Sequence, residues 1–90
     1  MARMDFSSRD TIEFAAQGGQ SDALFELGLI YCSGREGKVD MIEAHKWFNL
    51  AAMRGNEEAK RYRHELSSDM SKADIAKAQK LAREWMKSLH

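Results

Sequence analysis

The chain has 90 residues, enough for one small domain near the size at which a single hydrophobic core just sustains a fold. Fourteen Lys and Arg residues balance fourteen Asp and Glu residues, so no net charge attracts nucleic acid or an anionic membrane, and we expect neither as a partner. One cysteine cannot form an internal disulfide, and the sequence shows neither an apolar signal segment nor a run long enough to span a bilayer, which predicts a cytoplasmic protein.

The composition predicts helices throughout. The chain has no proline and is rich in Ala, Leu, Glu, Lys, Arg and Met, residues that lose little rotamer freedom in a helix. A first helix is predicted from Ser7, its N-cap, to Gln17, and the pair Gly18-Gly19 ends it. Its predicted apolar contacts are Ile12, Phe14 and Ala15.

A second helix is predicted from about Ser21 to Cys32. It carries an apolar stripe at spacings i, i+3, i+4 and i+7, formed by Leu24, Leu27, Gly28 and Tyr31. A glycine inside a helix costs about 1 kcal/mol relative to alanine, so Gly28 predicts a point where a neighbouring helix approaches too closely to admit a side chain. A loop over 33–38 follows.

A third helix is predicted to open at Asp40, whose carboxylate caps the first turn, with Glu43 three residues later. Gly55 is predicted as the left-handed residue that ends this helix, as Gly19 ends the first. Its predicted buried face comprises Ala44, Trp47, Phe48, Ala51 and Ala52.

Two more helices are predicted, one over about 56–66 and one starting at the cap Ser71. In the fourth helix Ala59, Tyr62 and Leu66 are predicted to point inward, whereas Lys60, Arg61, Arg63 and His64 point largely outward. The fifth helix carries one apolar stripe, comprising Ile75, Ala78, Ala82, Trp85 and Leu89. Its opposite face is charged, as the terminal helix of a soluble stack requires.

An internal repeat organises these helices. The segments 15–23 and 51–59 share two alanines, a glycine and a final alanine at an offset of 36 residues. A period of this length with helical patterning between its copies is typical of stacked helix pairs. The sequence therefore predicts an all-α fold, a short α-solenoid in which about five helices form a right-handed stack of antiparallel pairs.

The central segment carries a recognisable pattern, Leu27-Gly28-x-x-Tyr31-x-x-Gly34 followed by Asp40-x-x-x-Ala44-x-x-Trp47-Phe48-x-x-Ala51-Ala52-x-x-Gly55-x-x-x-Ala59. In residue type and spacing it resembles the Sel-1-like repeat, a relative of the tetratricopeptide repeat. The resemblance implies an α-solenoid in which the small residues are helix contacts and the aromatic residues fill the space between helices. It also implies an adaptor role in protein–protein interaction.

The resemblance implies one repeat domain over 1–90. Its parts are a partial first unit around 7–18, a complete unit around 20–54, and a degenerate final pair with a capping helix around 56–89. Two positions depart from the pattern: the loop carries Glu36 and Gly37 in place of the family's glycine and valine, and the fourth helix has Arg63 and His64 where the previous copy has Leu27 and Gly28.

No catalytic, cofactor or metal site is predicted. Cys32, His45 and His64 are separated by 13 and 19 residues, which matches no compact ligand motif. We expect Cys32 to pack as a small apolar residue and His45 to lie on the surface beside Trp47. The basic segment 60–64 has glutamates within the same helix that pair with it, which argues against nucleic-acid binding.

The predicted function is binding of a peptide or protein on a concave face, because stacked helix pairs present exposed side chains of successive first helices there. Those helices are the second and the fourth. The predicted contact residues are Glu26, Leu29, Arg61 and Glu65.

A second hypothesis is a self-associating structural module. With so few repeat units, apolar residues at the N-terminal end, namely Phe6, Ile12 or Phe14, could be buried by a second copy in a homodimer.

Overall fold

A computed structural model describes residues 8–35 and 37–89 of the chain. In these residues it has five helices and no strand: α1 (Ser8–Gln17), α2 (Ser21–Ser33), α3 (Met41–Met53), α4 (Glu57–Ser68) and α5 (Lys72–Ser88). The predicted all-α architecture is confirmed, with principal extents of 50 × 29 × 22 Å. The predicted cap Ser7 and the apolar Phe6 lie outside the described residues.

Two of the predicted N-caps, Asp40 and Ser71, are confirmed. Asp40 Oδ1 accepts from the Glu43 backbone N–H at 3.1 Å, and Ser71 Oγ accepts from the Asp74 N–H at 3.1 Å. A third cap, Asn56 Oδ1, accepts from the Ala59 N–H at 2.8 Å. Because these side chains satisfy backbone donors that a helix leaves free, each boundary is fixed locally.

The repeat is visible in the backbone of two turns. Gly19 and Gly55, 36 residues apart, have φ of +80° and +94°, a region that favours glycine. Their N–H groups donate to Ala16 at 2.8 Å and to Ala52 at 3.0 Å, carbonyls that are also 36 residues apart. The two copies therefore end their helices in the same way.

The close approach predicted at Gly28 is confirmed. A Cβ at this position would overlap the ring of Phe48, whose side chain is fully buried. The helices α2 and α3 consequently pack closely at Gly28, and the core forms around these two helices. Its buried apolar members are Ala16, Leu24, Leu27, Ile30, Ala44, Trp47, Phe48, Leu50, Ala51, Ala52, Ala59, Leu66 and Ala82.

The two ends of the stack are packed less closely than its centre. Phe14, predicted as an apolar contact, is 80% exposed, because no further helix covers the outer side of α1 in the described structure. At the other end α5 packs chiefly against α3 and makes few contacts with α4, the helix that precedes it. One repeat period after Gly28, α4 has His64, whose side chain is exposed. The close helix contact that Gly28 allows between α2 and α3 is therefore not repeated between α4 and α5.

Candidate interaction surface

Three aromatic rings connect α2, α3 and α4. The ring centroid of Phe25 lies 5.6 Å from that of Phe48 and 5.4 Å from that of Tyr62, and the Phe48 and Tyr62 centroids lie 5.3 Å apart. Contacts at these separations add to the burial of apolar area. The triangle of rings therefore brings α2 into direct contact with α4.

The four predicted contact residues lie on the two helices that this ring contact joins. Glu26 and Leu29 are three residues apart on α2, and Arg61 and Glu65 are four residues apart on α4, so each pair shares one side of its helix. We refer to these four positions together as the α2–α4 face.

The side chains of the α2–α4 face differ in exposure and in pairing. Glu26 accepts from Arg35 at 2.9 Å, and Arg61 lies 3.6 Å from Glu58. Both pairs are solvent-exposed and are worth about 0–1 kcal/mol, so a partner can exchange them at little cost. Glu65 is exposed and has no ion pair in the described part of the chain. Leu29, predicted as an outward residue, is half-buried and packs against the core.

The prediction that His45 lies on the surface is wrong. His45 is 1% exposed, and its Nε2 lies 2.9 Å from Ser67 Oγ. The same hydroxyl donates to the backbone oxygen of Arg63 at 2.9 Å, so its single proton is already used. His45 must therefore donate from Nε2, and its neutral form leaves Nδ1 as a bare acceptor. Nδ1 is buried without a hydrogen-bond partner.

This environment disfavours the charged imidazolium. Burial lowers the pKa of His45 below its usual value of 6.5, and the nearby Arg63 guanidinium lowers it further. Protonation would also place an N–H on Nδ1 where no acceptor is present. His45 is thus a structural residue that joins α3 to α4 in its neutral state.

The stability of the fold is expected to decrease through His45 as the pH falls below about 6.5. The unfolded chain takes up a proton near the usual pKa of 6.5, whereas the folded chain resists it, so the loss begins near that pH and levels off below the folded pKa. Urea denaturation of the wild type and of His45→Gln, at several pH values, measures the difference. The exposed His64, changed to Gln, is the control; a pH slope in His45→Gln equal to that of the wild type would contradict the assignment.

The three residues considered for metal or nucleophilic chemistry lie in different settings. Cys32 is free, half-buried and packed against the core, as expected, whereas His45 is buried and His64 is exposed. Among the described residues, no group of three or more His, Cys, Asp or Glu side chains is arranged to hold a metal ion. None of the described helices combines the length and the hydropathy needed to cross a membrane.

The sequence reasoning missed two features of this region. It assigned Tyr62 to the interior but did not anticipate Phe25, which extends the ring contact across to α4. It also placed Arg63 outward, whereas Arg63 is half-buried and donates to Asn49 Oδ1 at 2.7 Å. The repeat gives no signal for Phe25, because the position 36 residues after it holds Arg61, and Tyr62 corresponds to Glu26.

The sequence of the chain is similar to a known repeat family and to a characterised protein. The family model of the Sel1 repeat matches residues 21–56 and 59–88. The alginate biosynthesis protein AlgK of Azotobacter vinelandii is 25% identical over 72 residues, which is 80% of this chain and 16% of AlgK. The chain thus spans a small part of the length of that relative. No solved structure matches the chain.

Proposed function

The chain belongs to the Sel1 repeat family, and we propose that it is an adaptor that binds a peptide or protein segment on its α2–α4 face. Sel1 repeats generally mediate protein–protein interaction and are typically non-catalytic. The ring contact between Phe25 and Tyr62, at which α2 and α4 touch, supports the finer assignment to one face.

Stacked helix pairs support this choice of face. Successive first helices of a solenoid line its concave side, and α2 and α4 are the first helices of the two matched repeats. A concave surface offers a bound segment contacts from two helices at once.

The chemistry of the face suits a mixed apolar and charged segment. Leu29 of the face is half-buried, as are Phe25 and Tyr62, which are next to residues of the face in sequence, so each retains apolar surface that a partner can cover. Buried apolar and aromatic anchors supply most of the binding energy of protein interfaces, whereas charges at the rim set orientation and association rate. Glu26, Arg61 and Glu65 are the corresponding rim charges.

Affinity capture from native lysate tests the proposal. The double variant Glu26→Arg/Arg61→Glu reverses both rim charges without altering the net charge, and we expect it to reduce the amount of specifically captured partner about tenfold. The matched control is Lys80→Glu/Glu84→Arg, which makes the same exchange on exposed positions of α5. Equal capture by the wild type and by both variants would show that the partner does not use the α2–α4 face.

A second candidate function, self-association through the N-terminal end, is favoured by one observation. Phe14 is 80% exposed on the terminal helix α1, whereas Ile12 packs against the core. Sedimentation at high concentration separates the two functions. A dimer that Phe14→Ser dissociates supports self-association, and a monomer at every concentration excludes it.

A further inference from the structure

A groove opens where α1, α3 and α5 meet. Glu13 and Gln17 of α1, Trp47 of α3 and Trp85 of α5 line it, and its volume is about 260 Å³. We infer that this groove binds the guanidinium group of an arginine side chain presented by a protein partner. The site involves none of the residues that define the α2–α4 face and does not depend on the proposed function of that face.

Two indole rings supply the apolar lining. The centroids of Trp47 and Trp85 lie 5.4 Å apart with the ring planes at 78°. Trp47 is 5% exposed and Trp85 is half-buried, so part of the Trp85 ring remains accessible to a ligand. Tryptophan has the aromatic face that attracts cations most strongly.

The structure already pairs one of these rings with a cation. Lys46 Nζ lies 4.2 Å from the Trp47 ring centroid, while Lys46 is not among the residues that line the groove. Trp47 Nε1 donates to Glu43 Oε1 at 3.1 Å, and a hydrogen bond to a carboxylate polarises the indole toward greater negative charge. The greater negative charge on the Trp47 ring therefore favours a cation close to it.

Glu13 supplies an unpaired carboxylate. It is half-buried at the groove and has no ion pair with any residue that the structure describes, whereas Glu43 is occupied by Trp47 and Lys46. Gln17 lies one helical turn after Glu13 and adds an amide oxygen as a further acceptor. Among the described residues that line the groove, Glu13 carries the only charge.

Guanidinium fits these features better than other ligands. It is planar, stacks on aromatic faces, and presents a fork of N–H donors to a carboxylate. The groove is smaller than the roughly 300–1,000 Å³ typical of pockets for cofactors and drug-sized ligands, so its size suits one side chain. An arginine on the surface of a partner supplies that group without a separate small molecule.

Nuclear magnetic resonance tests the inference directly, because the only two tryptophans of the chain both line the groove. The probe is N-acetyl-arginine amide, and the matched probe is N-acetyl-citrulline amide, which has a similar shape without the charge. The arginine probe is expected to shift the indole N–H resonances saturably, and the citrulline probe is expected to leave them in place at the same concentration and ionic strength.

The variant Glu13→Gln is expected to weaken the arginine titration about three- to tenfold, since it removes the charge-assisted contact. Glu65→Gln removes the same charge from the α2–α4 face and is expected to leave the titration unchanged. Unchanged backbone resonances outside the groove verify that each variant is folded. Equal shifts with citrulline, no saturable shift with arginine, or an unaltered titration in Glu13→Gln would each overturn the site. None of these results depends on which partner binds the α2–α4 face.

Discussion

Replacing Phe48 with alanine is expected to lower the free energy of unfolding by about 3–5 kcal/mol, the cost typical of removing a buried aromatic side chain. Phe48 is fully buried, and its ring contacts Phe25, Tyr62 and the backbone of α2 at Gly28. Its loss leaves a cavity at the point where three helices meet. A domain of this size has a total stability of about 5–15 kcal/mol, so the variant approaches the unfolding threshold.

Chemical denaturation with tryptophan fluorescence measures this loss. Phe14→Ala is the matched control, because it removes the same atoms from a side chain that is 80% exposed, and we expect a change within about 0.5 kcal/mol. Equal destabilisation by the two variants would mean that Phe48 does not occupy the centre of the stack.

Replacing Gly28 with alanine is expected to destabilise the protein by about 1–3 kcal/mol, the range for inserting atoms into a packed core. The new Cβ would overlap the Phe48 ring. In an exposed helix the same change would stabilise by about 0.5–1 kcal/mol, because alanine has the higher helix propensity. The sign of the effect therefore reports whether α3 lies against α2 at this position.

The double variant makes the test specific. When Phe48 is already alanine, the methyl group of Gly28→Ala has space, and the substitution is expected to become neutral or stabilising. Measuring both single variants and the double variant by denaturation gives the coupling between the two sites. If Gly28→Ala is equally destabilising in both backgrounds, its cost arises elsewhere.

Local patterns in the sequence were sufficient to predict the helices and their closest contact. Each observed cap is a polar side chain placed directly before a helix, and Gly28 is an unfavourable residue whose presence requires a neighbour without space for a side chain. The repeat offset of 36 residues predicted that Gly19 and Gly55 would adopt the same left-handed geometry. These features depend on neighbours close in sequence or on one repeat period.

His45 could not be predicted from helical periodicity because α3 is the central helix. An amphipathic stripe assumes one buried face, whereas seven of the thirteen residues of α3 are buried by packing against α2, α4 and α5. The partner of His45, Ser67, lies 22 residues away, and no local pattern connects them. Burial on more than one side of a helix is a property of the assembled stack.

The ends of the stack were difficult to predict for a related reason. Phe14 continues the apolar pattern of α1, but within the described residues α1 packs chiefly against α2, and this contact leaves Phe14 exposed. The Trp47–Trp85 contact brings together helices that are not consecutive, so it follows from the packing of α5 on α3 and not from any spacing in the sequence.

The candidate interaction residues were only partly predictable. Helical spacing identified Glu26, Arg61 and Glu65 as polar positions on α2 and α4, and the structure keeps all three at least partly exposed. It could not show that Leu29 packs against the core or that Phe25 and Tyr62 connect the two helices.

Hydrogen–deuterium exchange of the protein alone and in complex with its captured partner tests the proposed docking surface most directly. We expect the partner to slow exchange in the segments 25–33 and 58–65, which belong to α2 and α4, because a segment bound on the α2–α4 face excludes water from both helices. Protection confined to α1 or to α5, with α2 and α4 exchanging as in the free protein, would contradict the proposal.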